Sequence, residues 1–263
     1  MIGLNYRPLA GAFAAAAALV LSATLANAQV DPAKLPAAKA AADTFVTMAK
    51  GSEQTGNAPR EADPAVKKLI DAALDTRDIE TAKAIPFAAL GPLSERMVTG
   101  LRIGTLYILS GTGAADLNAV ANIPDSDTKV NLNVIKFAPE MGRFYDFQLR
   151  IQGAVIDAVL VRLATAKPEE LARPNFQSGL ADIRNGSAGS VSGVIRVLAI
   201  NGIADQWLRE RQPALKAIAP KLAKFLSPEQ KKDLQELAIA CANVTDEPQV
   251  KKDLQDFAAV VGG

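Results

Sequence analysis

The sequence predicts an all-α protein: a single-domain bundle of about seven to nine helices behind an export signal. Three observations carry that expectation. Aromatic residues make up only 5% of an alanine-rich chain, a composition that favours helix over sheet. Apolar residues recur at three- and four-residue spacing through most of its length. Only residues 130–134 alternate as a strand would, and no second segment offers them a partner.

The first element stands outside the fold. Arg7 supplies a positive start, Leu9 to Leu25 is an uncharged apolar run, and Ala26-Asn27-Ala28 has the small-x-small pattern of a signal-peptidase site. An uncleaved anchor needs roughly 17–25 strongly apolar residues, and this run is near the lower limit and rich in alanine, which drives insertion weakly. Cleavage is expected after Ala28. The only cysteine, Cys241, is far from the signal and no twin arginine precedes it, which points to the general secretory route. The expected location is periplasmic or secreted, with no stable membrane insertion once the signal is gone.

Residues 29–263 are read as one helical domain. Residues 32–50 form its first helical segment, with Leu35, Ala38, Ala42, Phe45 and Ala49 near helical spacing. A polar loop over 51–62 follows. Asp63-Pro64 opens a second helix with an acid at the N-cap and proline at the first helical position. That helix runs to about Leu74 and buries Val66, Ile70, Ala73 and Leu74. Pro92 opens a longer one, with Leu93, Met97, Leu101, Gly104 and Ile108 on one face and Gly111-Thr112-Gly113 at its end. A shorter helix covers 114–122. Residues 127–137 fit either period, and helix is preferred for want of a partner strand.

Residues 139–166 are apolar on two faces. Phe144, Phe147, Ile151, Val155, Ala158 and Val161 make one, and Tyr145, Leu149, Ile156, Leu160 and Leu163 the other. One polar stripe remains: Arg143, Asp146, Arg150, Gly153 and Asp157. A helix apolar over so much of its circumference belongs at the centre of a bundle. Residues 175–201 keep helical spacing across a glycine-rich middle, where each interior glycine costs about 1 kcal/mol against alanine. Either a close neighbour offsets that cost or Asn185-Gly186 is a turn; one continuous helix is preferred. Residues 228–261 form a C-terminal hairpin. Its two arms share Lys-Lys-Asp-Leu-Gln, and Ser227 with Gln230 makes a capping-box pattern. No fixed period runs through the middle of the chain, so the shared motif reflects similar helix starts rather than a solenoid.

The chemistry is bounded mainly by exclusion. There is no histidine, which removes serine and cysteine nucleophiles paired with imidazole, imidazole metal sites and histidine-ligated haem. One cysteine excludes an intrachain disulfide, a cysteine-rich zinc site and a redox pair. Cys241 sits in an apolar stretch and reads as a buried small hydrophobe. Without Arg7 the chain is formally neutral, which argues against nucleic acid and anionic lipid as partners. Ser126-Asp-Thr-Lys129 matches one β-lactamase element, but the companion elements are missing. Leu106 to Gly113 resembles a strand entering a dinucleotide loop, yet Asp116 stands where the third glycine belongs; a helix end and glycine turn fit better.

What remains is an expectation of a non-catalytic protein with no cofactor and no bound metal. The leading reading is a structural or interaction protein of the cell envelope, which binds another protein or itself through small-residue faces at Gly100/Gly104 and Gly186/Ser190/Gly193. The alternative is a small-molecule binder with its ligand along the charged stripe. Its candidate binding residues are Arg143, Tyr145, Asp146, Arg150 and Asp157, an arginine gripping a carboxylate or phosphate. Against that stands a plain solvated face laced with weak salt bridges.

Overall fold

The computed structural model describes residues 34–82, 84–120, 122–201 and 205–263, the side chains of 205–212 excepted. The expected signal over 1–28 lies outside the described residues. Among those residues the fold is all-helical, with no strand. The described residues hold thirteen α-helices, nine of them long.

In chain order the helices are α1 (Lys34–Met48), α2 (Ser52–Thr55), α3 (Pro64–Ala73), α4 (Arg77–Thr81), α5 (Leu90–Leu109), α6 (Leu117–Val120), α7 (Ser126–Lys136), α8 (Ala138–Thr165), α9 (Pro168–Leu171), α10 (Pro174–Leu198), α11 (Asp205–Phe225), α12 (Pro228–Val244) and α13 (Pro248–Gly262), with a 3-10 turn at Phe87–Ala89 before α5. The helices that the sequence reading did not foresee are α11 and three short pieces, α2, α4 and α9, of four or five residues, too short to show a period. The ambiguous 127–137 segment is helix, and the glycine-rich segment is one continuous helix.

The starts follow local chemistry. Asp63 accepts a hydrogen bond from the Ala65 amide at 2.8 Å, and Pro64 occupies a position with no amide bond to lose. Ser227 and Gln230 form the reciprocal capping box. The Gln230 amide also donates to the Asn185 side chain at 2.8 Å, so the residue that looked like a turn ties the middle of α10 to the start of α12. At the end of α5, Gly111 and Gly113 adopt positive φ, and their amides donate to the carbonyls of Ser52 and Glu53. Asn133 of α7 caps the Ile108 and Ser110 carbonyls of the same end. The stretch that resembled a dinucleotide loop is a helix terminus.

One continuous apolar core runs from α1 to α13. The helix α8 is its axis and packs most extensively on α11, then on α5. Sequence periodicity passed over α11 because Pro213 and Pro220 interrupt it. Both prolines lie seven residues apart on the exposed face, where the carbonyls they leave unpaired can meet water. The opposite face buries Leu215, Ile218, Leu222 and Phe225. The contact of α8 with α10 is slight; α10 packs mainly on α12, and α12 on α13.

Against α5 the rings of Phe144 and Phe147 enter the notch left by Gly104 and Gly100. A Cβ on Gly104 would stand 2.6 Å from the Phe144 ring, and one on Gly100 would collide with Phe147. Nearby, Tyr107 is buried between Phe45 and Phe137, its hydroxyl donating to the Pro59 carbonyl at 2.8 Å. Burial, reinforced by Glu140 and Glu61, pushes its phenol well above its ordinary range.

Candidate functional site

The stripe foreseen on α8 is its accessible side. Arg143, Asp146, Arg150 and Asp157 are half-buried, while nearly every other position from 141 to 159 is buried. Gly153, the glycine of the stripe, is buried too, and the space above it is crossed by the Lys221 side chain of α11.

Each charge on the stripe has a partner from another element or from α8 itself. Arg143 pairs with Asp71 of α3 and with Glu61 at 3.4 Å. Arg150 donates through Nε to Asp146 at 2.7 Å and pairs with Glu80 of α4 at 3.1 Å. Asp157 binds Lys221 at 2.5 Å. Burial and the Asp146 carboxylate act in opposite senses on Arg150, and the carboxylates prevail, raising its pKa. The five candidate residues therefore divide. Four form a seam of ion pairs that joins α8 to α3, α4 and α11. Tyr145 is 2% exposed and packs its ring, tilted, at 5.2 Å from that of Phe144. One oxygen of Asp146 is buried without a hydrogen bond, the one polar atom of the stripe left unsatisfied among the described residues.

The structure brings a second charged cluster together that the sequence reading passed over. Arg96 of α5 is 2% exposed and donates to Asp78 at 2.9 Å and to the Asp75 carbonyl. Lys34 of α1 bonds Asp75 at 2.8 Å and stands 3.6 Å from Asp78. Arg77 grips Asp75 through both Nε and Nη2. The bonds from Arg77, opposed by partial burial and joined by Lys34, hold the Asp75 carboxyl far below its ordinary range. A signal for this cluster existed: Arg96 falls on the same helical face as Leu93, Met97 and Gly100, and a charge on a buried face requires a partner.

A third buried charge, Glu140 at the start of α8, accepts from Arg60 Nε at 3.0 Å and the Glu61 amide at 2.9 Å, and so pins the loop before α3. Cys241 is buried, which pushes its thiol pKa up. Ser126 and Lys129, the fragment with β-lactamase-like spacing, lie on the first turn of α7, where the Lys129 amide donates to the Asp125 carbonyl. Among the described residues there is no group of three or more acidic or cysteine side chains placed to hold a metal ion, and no helix long and apolar enough to cross a membrane. Compared with family models, curated proteins and solved structures, the chain has no significant match, and the reading of its function rests on its own residues.

Proposed function

We propose that the chain is an exported, periplasmic helical protein that is not an enzyme and acts by contact with another envelope protein or with a second copy of itself. The small-residue faces that first suggested this are largely used internally: Gly100 and Gly104 receive phenylalanine rings, and Ser190 and Gly193 are buried, while Gly186 is half-buried. The observation that carries the reading is the outer face of α7. Leu132 is 59% and Ile135 36% exposed, and exposed Thr128 lies one turn before Leu132 on the same helix. Single exposed aliphatic residues are ordinary, but two of them at helical spacing on a short helix offer a partner an apolar anchor.

The test is a photoreactive residue placed at Leu132 and, as control, at Lys232 on the charged face of α12. Irradiation of the exported chain should give a discrete heavier adduct from position 132 and none from 232. The reading fails if position 132 gives no adduct and the chain is a bare monomer by native mass spectrometry.

A further inference from the structure

We propose that the cleft between α1, α3 and α5 binds a small oxyanion, a carboxylate or phosphate head on a short apolar body. The cleft has a volume of about 300 Å³, at the lower end of small-molecule pockets. Four cations line it, Lys34, Lys68, Arg77 and Arg96, against two carboxylates, Asp71 and Asp75.

Both carboxylates are already shared. Asp75 lies between Lys34 and Arg77, each at 2.8 Å, and Asp71 between Lys67 at 2.9 Å and Arg143. Arg96 is committed to Asp78 and gives the cleft a fixed wall. Lys68 has no ion-pair partner among the described residues, and the Arg77 side chain is 82% exposed at the rim. The cleft therefore carries surplus positive charge, on a chain whose formal net charge is only +1. Concave walls with a net surplus of one sign attract ions of the other.

The same geometry limits what fits. Asp71 and Asp75 repel a polyanion, so one head group between Lys68 and Arg77 is favoured over a nucleotide-like chain of charges. Ala37, Ala38 and Ala72 give a short apolar wall beside those cations, sized for a few methylene groups.

The experiment is an amide NMR titration of the exported chain with inorganic phosphate and, separately, with butyrate, at ionic strength fixed with sodium chloride. Saturable shifts confined to residues near 34–38 and 68–77 are expected with at least one probe. Phosphate alone would identify a phosphate head, and butyrate alone a carboxylate. Lys68→Ala should weaken that binding at least fivefold with the helical circular dichroism unchanged, since Lys68 is exposed. Lys68→Arg should retain most of it, and Lys129→Ala, an exposed lysine on α7, should change nothing. Non-saturable shifts with both probes, or a Lys68→Ala chain that binds as well as the parent, would overturn the proposal.

Discussion

The face of α8 that meets α5 and the face that carries its charges are both contacts between helices, but different forces hold them. On the first, Phe144 and Phe147 fill notches that only glycine can provide, in a region closed to water. On the second, Arg143, Arg150 and Asp157 reach partners on α3, α4 and α11 while still touching solvent. A dry steric contact has no substitute when its shape changes. A wet ionic one does, because water and counter-ions can take the place of a lost partner. The first face should therefore fix where the helices sit, and the second should adjust how firmly they are held.

The sharpest way to break this comparison is a charged contact that is as dry as the glycine notch. Arg96→Ala takes from buried Asp78 its hydrogen-bonded cation and leaves only Lys34, 3.6 Å away; removing one partner of such a pair costs about 3–5 kcal/mol. A shift in the urea midpoint worth less than about 1 kcal/mol would mean that burial does not separate the two classes of contact. Next comes Gly104→Ala, which should lose about 1–3 kcal/mol through overpacking even though alanine is the better helix former by about 1 kcal/mol. A gain in stability would show that the Phe144 ring moves aside freely.

Asp75 should give a smaller, pH-dependent effect. Its folded pKa is held below the unfolded value of about 3.9, so its contribution is complete above that pH and fades as the pH falls towards the folded value. The stability difference between the parent and Asp75→Asn should be constant from pH 8 to 5 and shrink below pH 4. A difference that persists unchanged at pH 2 would contradict this assignment. Arg150→Ala, on the wet face, should cost no more than about 1 kcal/mol and less still in 1 M salt. The smallest effect, and the one with opposite sign, belongs to Gly179→Ala. No atom lies within 4 Å of the added methyl, and helix propensity should stabilise the chain by up to about 1 kcal/mol.

The same contrast explains what was legible in the sequence. The stripe from Arg143 to Asp157 could be read because helical spacing is a local property, and the structure keeps those residues on one side of α8. Their partners could not be read, because Asp71, Glu80 and Lys221 lie far away in the chain and no alternation of charge encodes which helix will arrive. The glycine notch was legible as a small-residue face, but the sequence offers no means of telling an internal ring from an external partner. The helix α11 was lost for a different reason. Its prolines violate a rule about isolated helices, and the bundle overrides that rule by turning both of them towards water.

Cys241, the single buried thiol of the chain, has a practical consequence for kinetics. An alkylating reagent reaches it only when α12 separates from its neighbours, so the rate of modification counts openings of the molecule. With no second thiol there is no mispaired state to escape. Refolding needs no disulfide exchange, and a slow refolding phase must come from another step, the isomerisation of one of its many X–Pro bonds being the first candidate.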